Sequence, residues 1–107
     1  AARRARGAAE SPPPPPAPAP HAAEAVVDRS LEALDNGTLT AADAASAKLF
    51  CTEVAHRVID RCLQLHGGYG FINEYPIARL YADNRVNRIY GGTSEVMKMI
   101  IAKDMGL

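Results

Sequence analysis

The stretch TAADAASAKLFCTEVAHRVIDRCLQLHGGYG, residues 40–70, decides the fold class. Ala47, Cys51, Val54, Val58, Cys62 and Leu65 recur at spacings of three and four, the period of one helix face, and Phe50, Ile59 and Leu63 widen that face. A stripe of this width calls for burial on more than one side. Thr40 and Asp43 form a capping box at its start, with aspartate in the usual glutamate place, and the predicted helix runs to about His66. Gly67, Gly68 and Gly70 then end it, because neighbouring glycines lose much backbone entropy in a helix and readily supply the positive φ of a turn.

On the N-terminal side, from His21, the same period sets Val27, Leu31 and Leu34 on one side and Glu24, Asp28, Glu32 and Asp35 on another, closing at Asn36 and Gly37. This is the pattern of a surface helix. On the C-terminal side, Tyr75-Pro76 opens a third helix, proline suiting the first helical position, which runs to about Val86. A fourth begins at Thr93 or Ser94 and ends with Lys103 before Gly106; Glu95 in its first turn and Lys98 and Lys103 toward its end suit the helix dipole. No stretch alternates as a strand does, so the expected fold is all-α: four helices, two of them short, over residues 21–107. Four such helices enclose no ligand by themselves and leave apolar faces open, so they are expected to pack against other subunits or further chain.

Residues 1–20, AARRARGAAESPPPPPAPAP, carry no large apolar side chain, and the proline run favours an extended, disordered arm. Three readings compete: a proline-rich ligand, an arginine-rich targeting peptide, and a non-native or mistranslated leader. The first lacks an arginine suitably spaced from its PxxP core, and the second does not normally end in five prolines; the third fits the alanine, arginine, glycine and proline of GC-rich coding sequence read in any frame. The chain also lacks an initiating methionine, which leans toward a fragment.

With 107 residues the chain is at most one ordinary domain. Basic and acidic side chains balance at 12 each, and with Arg3, Arg4, Arg6 and Glu10 set aside with the arm the remainder is slightly acidic, so no basic face points to nucleic acid. Cys51 and Cys62 lie eleven apart on one predicted helix, about 16 Å along its axis, too far for a mutual disulfide. They read as buried thiols of a cytoplasmic protein. No apolar run approaches the ~18 residues of a membrane span.

Two places could carry chemistry: the helix end Gln64–Gly68 and the helix foot from Tyr90 to Glu95. Both leave free backbone groups, and the second, a helix N-terminus, suits an anion such as phosphate. Neither has the spacing of a P-loop or of a dinucleotide-binding fingerprint, and on pattern alone both also read as simple helix stops and starts. His21, His56 and His66 form no metal-ligand pair with each other or with the cysteines. Asp83 and Arg85, two apart, do not share a helix face and are expected to pair with neighbouring segments.

Taken in order, KLF at 48–50, LQLHGGYG at 63–70, EYPIAR at 74–79, YADNR at 81–85, RIYGGTSE at 88–95 and IIAK at 100–103 resemble the C-terminal end of the acyl-CoA dehydrogenases over residues 22–107. The resemblance implies part of a C-terminal four-helix bundle from a flavoenzyme that desaturates acyl-CoA thioesters in fatty acid oxidation. It further implies FAD as hydride acceptor, electron-transferring flavoprotein as the next carrier, and a homotetramer whose FAD lies across a subunit boundary. In that family the stretch matching Gln64, Leu65, His66, Gly67 and Gly68 approaches the FAD of the neighbouring subunit, and Thr93, Ser94 and Glu95 match a second FAD-contacting stretch. Tyr90 and Gly92 match positions beside the acyl-CoA substrate. Many members carry their catalytic glutamate where this chain has Gly91, and glycine offers no proton acceptor. The pattern therefore resembles the long-chain and isovaleryl-CoA dehydrogenase branch, whose base stands on an earlier helix, and implies no catalytic residue in this chain. The alternative is a non-catalytic helical oligomerisation or interaction module derived from the same family.

Overall fold

Residues 18–107 are described by the computed structural model, and they form α1 (Pro18–Asp35), α2 (Ala41–Leu65), α3 (Pro76–Arg85) and α4 (Ser94–Asp104), with 3-10 turns at Gly67–Phe71 and Val86–Arg88. No strand occurs among the described residues. The expected arm falls outside them up to residue 17, but Pro18 and Pro20, which it was to include, stand in the first turn of α1 rather than before it. Proline is tolerated there because the first amides of a helix have no intrahelical acceptor to lose.

α1 ends as its Asn36-Gly37 sequence predicts. The amide of Thr38 donates to Ala33 O at 2.9 Å and that of Gly37 to Leu34 O at 3.1 Å, the paired bonds of a Schellman cap. Two residues on, Thr40 caps α2: its hydroxyl accepts from the Asp43 amide at 3.0 Å while the Asp43 carboxylate accepts from the Thr40 amide at 3.3 Å. The box expected from residues 40 and 43 is therefore reciprocal, and it lets a 25-residue helix start at Ala41.

At 1.5 Å per residue α2 is about 37 Å long. α1, α3 and α4 all pack on it, so α2 is the spine of the fold. Val54 at its middle is buried, as are Ala45, Ala78 on α3 and Met97 on α4, yet no large side chain among the described residues is sealed completely. The wide stripe of α2 is thus covered from three directions, but thinly.

α1 meets α2 through The Cys51 thiol donates to Ala23 O at 3.7 Å across the same contact. Val27, Leu31 and Leu34 face away and are exposed. Cys51 and Cys62 are free, and both are half-buried rather than buried. Burial nonetheless pushes the Cys51 thiol above its usual range. Among the described residues no helix is long and apolar enough to cross a membrane.

Candidate functional site at the foot of the last helix

α4 begins because Thr93 can cap it. Its backbone is extended, its hydroxyl accepts from the Val96 amide at 3.1 Å, and its carbonyl accepts from the Met97 amide at 2.9 Å. The amides of Ser94 and Glu95, ahead of those two, lie in the first turn, where no intrahelical acceptor exists. With the positive end of the helix dipole they make this foot receptive to a negatively charged or carbonyl oxygen.

Before the foot the chain turns through Gly91 and Gly92, at φ +67° and +103°. Both values lie where L side chains are strained, so glycine is required for the path itself. At Gly92 a second reason applies: a Cβ there would stand 2.4 Å from Met97 Cε.

Three contacts from α2 hold this turn. Lys48 Nζ donates to Gly92 O at 2.6 Å. Five residues on, one carboxylate oxygen of Glu53 accepts from Arg88 Nε at 2.8 Å and from Ser94 Oγ at 2.6 Å. The bond from Arg88 holds the Glu53 carboxyl below its ordinary range against partial burial, assisted by the Ser94 hydroxyl and by the positive charge of Arg88. Reciprocally, the bond to Glu53 raises Arg88. A small cleft of about 100 Å³ opens beside the clasp, lined by Arg85, Arg88, Ile89, Thr93, Ser94 and Glu95.

The structure gathers Thr93, Ser94 and Glu95 at one helix foot, with Gly92 leading into it and Tyr90 exposed beside it. Ser94 is buried and its hydroxyl turns inward to Glu53, while the Thr93 hydroxyl is spent on the cap; the outward groups here are backbone amides and the Glu95 side chain. Gln64, Leu65, His66, Gly67 and Gly68 form a separate, exposed place at the other end of α2. Gln64 follows Glu53 by eleven residues on one helix, so about 16 Å of axis separates the two places within a protomer.

At this second place His66 Nδ1 lies 2.7 Å from Cys62 O, and its ring meets Tyr75 edge-on while Tyr69 stacks on Tyr75. The positive φ expected of the glycine pair belongs to Gly67 alone, at +60°; Gly68 has none and no atom within 4 Å of where its Cβ would be. The close approach within the chain occurs at Gly70 instead, where a Cβ would meet Leu63 O at 2.6 Å. Asp83 and Arg85, expected to pair with neighbouring segments, are exposed and make no ion pair among the described residues. A groove of about 580 Å³ between α1 and α2 touches none of the predicted site residues.

Glu53 escaped the sequence reading, and Lys48 appeared in it only as part of a motif. Glu53 stands three residues beyond Phe50 and next to Val54, on the flank of an apolar face. A carboxylate there needs a partner from another element, and that was the available signal.

An all-helical chain with a spine helix clasping a glycine turn at another helix's N-terminus is the C-terminal part of a larger helical bundle rather than a self-contained pocket. The model of the acyl-CoA dehydrogenase C-terminal domain matches residues 19–106, and the chain belongs to that family. It is 46% identical over 81 residues to the mitochondrial long-chain specific acyl-CoA dehydrogenase of Rattus norvegicus, covering 76% of this chain and 19% of that protein. Among solved structures it resembles the acyl-CoA dehydrogenase of Geobacillus kaustophilus, with a TM-score of 0.81 and 43% identity over 85% of this chain and 24% of that one. It also resembles a chain of the electron transferring flavoprotein of Acidaminococcus fermentans, at a TM-score of 0.78 and 30% identity over 83% of this chain and 23% of that one. The chain spans about a fifth of the length of the dehydrogenase relative.

Proposed function

We propose that these residues are the FAD- and acyl-CoA-contacting C-terminal portion of an acyl-CoA dehydrogenase that introduces a Cα–Cβ double bond into acyl-CoA thioesters. The observation that carries this reading is the foot of α4. There, in a chain of this family, a glycine turn leads into a helix N-terminus whose first-turn amides have no intrahelical acceptor.

Thr93, Ser94 and Glu95 form one cofactor surface. Ser94 contributes its amide rather than its hydroxyl, which Glu53 holds, and Glu95 offers a carboxylate that accepts from ligand hydroxyls. Gln64 to Gly68 form the other surface. The open space at Gly68 supports it, because nothing in the protomer requires glycine there and a ligand approaching the backbone does. About 16 Å of helix between the two surfaces suits a cofactor held between subunits, with each surface given by a different protomer of a homotetramer. FAD, when bound, supplies the acceptor for the hydride that leaves Cβ.

Tyr90 and Gly92 line the path of the thioester. Gly91 abstracts no proton, so the base belongs to a part of the enzyme outside these residues. Electrons pass on to an electron-transferring flavoprotein, and the compartment is cytoplasmic, where Cys51 and Cys62 remain thiols. The chain by itself turns over no substrate, since without the base nothing removes the α-proton in the required orientation. Dye-linked oxidation of short-, medium- and long-chain acyl-CoAs by the purified chain with FAD supplied tests this: the expected rate is that of the buffer, and sustained turnover contradicts the assignment of the base elsewhere.

A further inference from the structure

Lys48 and Glu53 lie on one rigid helix and grip the glycine turn on both of its sides: Arg88 before it, the Gly92 carbonyl within it and Ser94 after it. Two successive glycines at positive φ give the turn little stiffness of its own. Its conformation is therefore set from α2.

The Lys48 contact has a directional effect. The Gly92–Thr93 peptide is trans, like every peptide bond of the described residues, so its carbonyl and its N–H point in opposite directions. Lys48 draws the carbonyl toward α2 and thereby turns the Thr93 amide away from it. Glu53, through Ser94 Oγ, fixes the next residue. The amides of Thr93, Ser94 and Glu95 are then available as a set of donors on the open side of the foot.

We infer that Lys48 and Glu53 are positioning residues: they touch no ligand, and by orienting the Gly91–Ser94 turn they aim the backbone donors of the α4 foot at the oxygen atoms of the bound ligand. This rests on the cofactor and substrate reading above for the ligand, but not for the clasp.

The test uses the whole chain with Lys48→Met, Lys48→Arg, Glu53→Gln and Glu53→Asp. The Gly92 carbonyl ¹³C shift reports the clasp, and an FAD titration followed near 450 nm reports the ligand. Lys48→Met is expected to move the Gly92 carbonyl resonance and Lys48→Arg to return it toward the wild-type position, as a cation that still reaches the carbonyl must. Lys48→Met and Glu53→Gln are each expected to weaken flavin binding roughly tenfold, on the scale of one lost charge-assisted hydrogen bond. Glu53→Asp, one methylene short of Arg88 and Ser94, is expected to behave as Glu53→Gln.

A Gly92 resonance unmoved in Lys48→Met, or moved equally by methionine and arginine, overturns the clasp. A moved resonance with unchanged flavin affinity overturns the positioning role. Absence of flavin binding by the wild-type chain removes the cofactor reading instead, and the carbonyl shifts still decide whether α2 sets the turn.

Discussion

At Gly70 and Gly92 the chain itself leaves no room for a side chain, whereas at Gly68 and Gly91 a Cβ would meet nothing within 4 Å. The two glycine clusters thus mix two kinds of requirement. Gly70 lets its backbone rest on Leu63, and Gly92 lets the turn pass Met97. Gly91 serves a backbone path at positive φ, and Gly68 serves neither path nor packing within this protomer. The difference separates glycines that build the fold from the one glycine whose reason lies outside the chain.

The comparison is broken most easily at Gly70. Gly70→Ala is expected to cost about 3 kcal/mol in urea unfolding, near the top of the range for overpacking, because the nearest obstacle is a backbone carbonyl that cannot rotate away. Gly92→Ala is expected to cost about 2 kcal/mol, chiefly from φ +103°, since the Met97 methyl group it meets can move aside.

The clasp comes next. Glu53→Ala leaves the buried Ser94 hydroxyl and the Arg88 guanidinium without their acceptor, an expected loss of about 1.5 kcal/mol by the same measurement, since the site is partly open to water. The pH dependence follows from the same carboxylate. Its folded value lies below the ordinary 4.5, so its contribution is fully present above that value and is lost as pH falls through the folded one. Acid titration of the wild type against Glu53→Gln should therefore show the wild type losing more stability below about pH 4.5. Equal acid limbs would remove Glu53 as the group responsible.

Smaller effects sharpen the contrast. Thr93→Ala removes only the cap on Val96 and is expected to cost about 1 kcal/mol of thermal or urea stability. Gly68→Ala is expected to change stability by less than about 0.5 kcal/mol while lowering flavin affinity. A large stability loss there would show that Gly68 belongs with Gly70, as a glycine of the fold.

Much of the architecture was legible because local chemistry fixed it. Thr40 with Asp43, Asn36 with Gly37, Tyr75 before Pro76, and Thr93 before Ser94 each mark a helix end by bonds made within a few residues, and these ends fall where the sequence places them. The start of α1 was missed because proline was read as a break, although the first turn accommodates it. The period of α1 was visible, but not which of its faces meets α2: the contact uses the small residues Ser30 and Ala33 with Val26, leaving Leu31 and Leu34 outside.

The candidate site was legible only as a pair of glycine-bearing segments. The bonds from Lys48 to Gly92 and from Ser94 and Arg88 to Glu53 span 35 to 44 residues of sequence, and no local pattern encodes them. The inward turn of the Ser94 hydroxyl follows from the same contacts. It moves the expected ligand interaction from that side chain to the helix amides.

The most direct test of the cofactor surfaces is size-exclusion chromatography with light scattering on the purified chain, with FAD supplied and absorbance followed near 450 nm. If the Gln64–Gly68 and Thr93–Glu95 surfaces are completed by different protomers, flavin travels only with species larger than one chain. Flavin carried by a monomer, or an ordered oligomer that carries none, would contradict that arrangement.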